Sequence, residues 1–149
     1  MFKTEREMQD LFIKALARKY DHFFHLFEEV NTNWCRPDIV MYRNLNNIWV
    51  YELKLTNSKK VWYQALKNLH ISHKSYIVVP VGKGLKIPAG WNGQDLKGSP
   101  IGILEFDGEN IIQVKKCKKN PYNIKKEILL HSLATQQYKG GMRMFNSYK

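Results

Sequence analysis

Asp38, Glu52 and Lys54 are the residues of this chain whose types and spacing fit a reaction best. They fall within residues 36–54, where two apolar-rich segments flank a polar Asn-Leu-Asn-Asn turn, the pattern of an antiparallel hairpin. Asp38 stands near the start of the first strand, and Glu52 and Lys54 near the end of the second. Side chains alternate faces along a strand, so Glu52 and Lys54 point the same way, and the hairpin brings Asp38 beside them. Two acids and a lysine at one sheet edge form a costly cluster unless a cation and a reaction use it.

Magnesium suits such a cluster. It takes oxygen ligands in octahedral geometry and keeps several waters, so one or two carboxylates hold it beside a phosphate. Asp38 and Glu52 supply those ligands, the backbone carbonyl of Leu53 a third, and manganese is expected to substitute. Lys54 then orients the attacking water or stabilises the pentacovalent phosphate. The competing account is an exposed Glu/Lys pair on a strand and an Asp capping a turn. Pro37-Asp38, fourteen residues upstream of Glu52 across a hairpin, and the apolar strand carrying Glu52 favour the catalytic one.

Bulk composition points to a polyanionic partner. The 149 residues carry 24 Lys plus Arg against 13 Asp plus Glu, a net charge of +11, with a pI near 9.7. Nucleic acid is the commonest such partner, and DNA is the first expectation. A hydrophobic content of 44% argues for a folded single domain over residues 1–149. Cys35 and Cys117 form no CxxC pair and suggest neither a disulfide framework nor a zinc knuckle. The sequence holds no apolar run of bilayer-spanning length, so a soluble, cytoplasmic protein with no membrane partner is expected.

The elements that must position the cluster follow from periodicity. Thr4 and Glu7 make a capping box, and Met8, Leu11, Phe12, Ala15 and Leu16 recur at helical spacing behind it. Residues 23–30 read as a strand before the hairpin. Ser58 caps a second helix to about Ile71, with Val61, Trp62, Ala65, Leu66 and Leu69 as its apolar face. Residues 75–81 form an apolar run suited to a strand covered on both faces. A Gly-, Pro- and Lys-rich loop over 82–100 follows, then a hairpin about Asp107-Gly108 over 101–115. A last helix spans Asn123 to about Tyr138, and Gly140-Gly141 opens a mobile tail over 140–149. The fold class is α/β, a mixed sheet with helices packed on it.

A helix with an early Glu, then Pro37-Asp38, then Glu52-Leu53-Lys54 on an apolar strand, then a helix containing Gln64, resembles the PD-(D/E)XK nuclease superfamily. The resemblance covers about residues 4–81, the αβββαβ restriction-endonuclease-like core, and is nearest to small bacterial and phage-borne members. The C-terminal hairpin and helix are an addition to that core. It implies magnesium-dependent phosphodiester hydrolysis, with Asp38, Glu52 and Lys54 on the motif positions. The superfamily's helical glutamate falls on Glu5, with Glu7, Glu28 and Glu29 as competing acids. Gln64 is an accessory candidate near the metal water or the DNA backbone, or else a solvated polar residue. Many such enzymes pair subunits to cut two strands, so a homodimer is compatible with the class, though no sequence feature demonstrates one. Because the superfamily includes non-cleaving members, a nucleic-acid-binding module on the same fold is the alternative, and an adaptor for an acidic protein the more distant one.

Lys59 and Lys60 open the helix after the Glu-x-Lys strand, where the helix N-terminus adds its own attraction for phosphate. Lys83 and Lys86 sit with Trp91 in the long loop, a basic and aromatic mixture suited to a nucleic-acid backbone and bases. His22/His25 and His70/His73 are three apart but lack a Cys or acidic partner at zinc spacing, and are expected to be surface residues.

Overall fold

The computed structural model describes residues 2–20, 25–44, 46–56, 59–82, 98–120, 122–138 and 142–144. Helix α1 (Glu5–Lys19) begins where Thr4, in extended backbone, accepts the Glu7 N–H on its side chain. The Glu7 carboxylate in turn accepts the Lys3 N–H at 2.9 Å, so Glu7 belongs to the cap. The helical stripe of Met8, Phe12, Ile13 and Leu16 is buried against one face of the sheet, with Ile39, Met41, Tyr51 and Leu53 beneath it. Phe12 meets both Tyr51 and Phe106 edge-on at 5.3 Å, each pair adding about 1 kcal/mol to the burial itself.

The strands are β1 (His25–Glu28), β2 (Ile39–Tyr42), β3 (Ile48–Leu53), β4 (Lys74–Pro80), β5 (Gly102–Phe106), β6 (Ile111–Lys115) and β7 (Met142–Met144). They lie in one mixed sheet in the order β6-β5-β4-β3-β2-β1-β7. The β2–β3 hairpin turns on Asn44, whose side chain accepts the Asn46 N–H at 2.8 Å. Strands β3 and β4 are parallel and need a crossover, which α2 (Lys59–Lys67) and a 3-10 turn (Asn68–His70) supply. Val61, Trp62 and Ala65 of α2 pack on Ile77, Val79 and Ile103. Leu129 and Leu133 of α3 (Lys126–Tyr138) pack on Phe27, Val40, Ile48 and Val50. Thus α1 covers one face of the sheet, and α2 and α3 cover the other. β4, at the centre, is buried through residues 75–80, as its apolar run requires.

Several boundaries differ from the sequence expectation: the first strand ends at Glu28 rather than residue 30, and the central strand runs 74–80 rather than 75–81. Residues 142–144, expected in a mobile tail, pair antiparallel with β1 (His25↔Met144) and cover a strand edge that would otherwise stand open. The last helix starts at Lys126 rather than Asn123, and the preceding Lys125 N–H donates to the His70 carbonyl at 2.7 Å. The second helix tightens into its 3-10 turn at Asn68 before reaching Ile71. Ser58, the expected cap, and residues 83–97 of the long loop lie outside the described residues. Among the described residues, no helix is long and apolar enough to cross a membrane.

Candidate functional site

The strand registers explain why the acids meet. In the β2–β3 ladder Val40 faces Val50 and Ile39 faces Tyr51, so the next position outward sets Asp38 against Glu52. The two carboxyls are close enough for each to shift the other's titration. In the β1–β2 ladder Glu28 faces Ile39, and one step further the Glu29 N–H donates to the Asp38 carbonyl at 2.9 Å. Glu29 leaves the strand through a left-handed backbone (φ 51°), where a residue with a Cβ is strained. Asp38 and Glu52 share the period-two face of Val40 and Val50, the side covered by α2 and α3.

Neither acid is easily ionised. Burial pushes the Asp38 carboxyl up to about 6, aided by the nearby Glu29 charge and opposed by the Leu53 N–H and Lys54. That N–H donates to Asp38 Oδ2 at 2.8 Å. Burial, with the Asp38 charge next, pushes Glu52 up to about 8, against the Asn68 amide, which favours its ionised form. Glu52 is only 2% exposed. Two carboxyls this close titrate as a pair, and near neutral pH they share a proton.

Lys54 Nζ stands 3.8 Å from Glu5 Oε2. The competitors separate cleanly. Glu7 caps α1. Glu28 turns to the α1 side, accepting from Arg6 at 3.0 Å and Gln9 at 3.2 Å. Glu29 is the acid whose charge reaches Asp38, and Arg36 lies 3.9 Å from it. Lys59 and Lys60 are exposed at the start of α2, while Lys83, Lys86 and Trp91 lie outside the described residues. Gln64 is half-buried, and its side-chain oxygen is buried with no hydrogen-bond partner.

The residue following α2 that reaches the acids is Asn68, one helical turn beyond Gln64. Its Nδ2 donates to Glu52 Oε1 at 3.1 Å, and its Oδ1 is buried and unpartnered. Sequence reasoning missed it. The signal was its i+4 spacing from Gln64. Gln9, buried in α1, was missed too: its amide donates to the Asp38 carbonyl at 3.4 Å and to Glu28. Two of the candidate histidines have partners elsewhere. His22 is outside the described residues, His25 lies against Tyr42, and His73 Nδ1 accepts the Ile48 N–H at 3.0 Å.

Among the described residues, no group of three or more His, Cys, Asp and Glu side chains is gathered to hold a metal ion. Two carboxylates with a backbone oxygen remain a sufficient set for a cation that keeps its waters. The donor chemistry fits such a cation: two neighbouring acids held short of full ionisation are relieved by a positive charge placed between them. Leu53 fits as well. Its N–H faces Asp38, and in an extended strand a residue's carbonyl faces the same side as its N–H.

No family model and no curated protein matches the chain. A solved structure of a protein of unknown function from Silicibacter pomeroyi is similar, with a TM-score of 0.63 at 16% identity, covering 93% of this chain and 89% of that one. At that identity the likeness is one of fold.

Proposed function

We propose that this chain is a metal-dependent nuclease of the PD-(D/E)XK kind, hydrolysing phosphodiester bonds of nucleic acid, with DNA as the first substrate. The observation that carries the reading is the placement of Asp38 opposite Glu52 at the end of the β2–β3 ladder, with the Leu53 N–H on Asp38 and Lys54 two residues on. The element order α1-β1-β2-β3-α2-β4 supports it, being the order of the restriction-endonuclease-like core. The net charge of +11 supports a polyanionic substrate.

Asp38, Glu52 and the Leu53 carbonyl would hold magnesium or manganese. When bound, the cation lowers the pKa of a water and offsets charge on the phosphate. The chain's own groups do the rest. The Leu53 N–H fixes one Asp38 oxygen, and Asn68 fixes one Glu52 oxygen. Lys54, with a side chain 25% exposed and a loose partner in Glu5, is placed to donate to a phosphate oxygen or to the attacking water. Lys59 and Lys60, at the N-terminus of α2, hold the strand's neighbouring phosphates.

The test is cleavage of supercoiled, linear, single-stranded, flapped and branched DNA, and of RNA, with magnesium or manganese. Activity is expected to vanish with a chelator and with Asp38→Ala. Cleavage that persists in either case overturns the assignment. Divalent-independent binding that survives Asp38→Ala, with no nicking of any substrate, makes the chain a non-cleaving module on the same fold.

A further inference from the structure

We propose that the cleft between the turn preceding Asp38 and the end of α2 binds an unpaired base of the nucleic-acid strand, beside the phosphate held at the acid pair. Its place next to a cleaved phosphate rests on the nuclease reading. Its ability to hold a base does not.

Trp34 is 48% exposed although it is among the chain's largest apolar side chains. A built turn holds it there. Thr32 Oγ1 accepts the N–H groups of Trp34 at 3.1 Å and Cys35 at 2.9 Å, and donates to the Cys35 carbonyl at 2.7 Å. Thr32 is buried, so this turn puts the small residue inside and the indole outside. Tyr122, 58% exposed, lines the same cleft. Leu66 and Leu69 give it apolar walls, and its volume is about 570 Å³, within the ~300–1,000 Å³ of small-molecule sites.

Lys67 and His70 line the cleft, and among the described residues no carboxylate does. Lys125 Nζ lies 5.3 Å from the Trp34 ring centroid. Exposed aromatic surface bordered by cations is the arrangement that stacks bases while holding the backbone. The wall is rigid as well: Asn120 Nδ2 donates to the carbonyls of Leu69 and Ser72, both at 2.7 Å. Trp34 precedes Asp38 by four residues, so their Cα atoms are at most about 14 Å apart.

The experiment is fluorescence anisotropy with labelled oligothymidylate, an abasic strand of the same length and a duplex, in chelator at low salt. Wild type is expected to bind oligothymidylate more tightly than the abasic strand. Trp34→Ala should weaken oligothymidylate binding about 5- to 100-fold and leave the abasic strand unchanged, and Trp34→Phe should restore most of the loss. The proposal is overturned if wild type does not prefer the strand with bases, or if Trp34→Ala binds it as wild type does. An equal loss on the abasic strand also overturns it. Because no metal is present, a protein that never cleaves can still pass this test, and Asp38→Ala should retain the base preference.

Discussion

Asp38 and Glu52 stand opposite each other one step beyond the last paired residues of β2 and β3, each close enough to shift the other's titration and both largely out of water. Nothing in the core needs acids there. The neighbouring positions on the same face, Val40 and Val50, are fully buried and apolar, and a continued apolar ladder would be more stable. The pair therefore stores unfavourable electrostatic energy that a bound cation would release.

The stored energy sets a pH dependence. Both acids have pKa values raised by folding, to about 6 and about 8, so the folded state binds more protons than the unfolded one. Their contribution to stability is fully present below the ordinary carboxylate range and is lost as pH rises through the raised values. His73, whose lowered pKa acts in the opposite sense, is neutral in both states above about pH 7. Between pH 7 and 8.5 the metal-free protein should lose stability to urea faster than Glu52→Gln does, the gap widening by about 1 kcal/mol across the window. Parallel curves for the two proteins would remove the buried charge from the account.

Divalent binding must displace the shared proton. Magnesium or manganese affinity should rise between pH 6 and 8, and calorimetry at pH 7 in buffers of different ionisation enthalpy should show release of about one proton. A pH-independent affinity with no proton release would mean that the cation does not sit on this pair.

Lys54 and Glu5 separate catalysis from structure. Their 3.8 Å contact is loose and Glu5 is 48% exposed on its side chain, so Glu5→Gln should change stability by less than about 1 kcal/mol. Lys54→Met should leave manganese binding intact and lower cleavage by about 10²–10³-fold, the loss typical of a donor to developing negative charge. Equal losses of metal binding and cleavage would place Lys54 in a structural role.

The site was legible in the sequence to the extent that it is local. Glu52 and Lys54 share a face by strand periodicity, and a turn of known length fixes which residue lies across from Glu52. Thr4 and Glu7 announced the cap, which in turn left Glu5 facing Lys54. Asn68 was not legible, because its contact with Glu52 depends on how α2 crosses from β3 to β4 and tightens after Lys67. Nor was β7: three residues carry too little pattern, and their pairing is decided by the open edge of β1, more than a hundred residues away in the chain.

Gly102 tests the packing beneath the central strands. A Cβ at this position would lie 2.7 Å from Cys117 Cβ and 2.8 Å from the Tyr76 ring, and Tyr76 is itself stacked on Tyr51 at 5.1 Å. Gly102→Ala should therefore cost about 1–3 kcal/mol in urea denaturation. Wild-type stability in that variant would show that the β4–β5 region yields more readily than this close approach implies.

Asn68 offers the sharpest distinction between supporting the fold and tuning the acid pair. It donates one hydrogen bond to Glu52, and its other polar atom has no partner, so Asn68→Ala loses a single interaction and should cost about 1–3 kcal/mol. That bond favours ionised Glu52. Without it the Glu52 carboxyl rises further, and the acid limb of the cleavage profile, together with that of manganese binding, should move to higher pH. Rates at the alkaline plateau should recover toward wild type. A variant slowed by the same factor at every pH would show that Asn68 only props the strand. Measuring manganese affinity and cleavage on the same pH series separates the two outcomes, since a shifted titration moves both limbs together and a loosened strand moves neither.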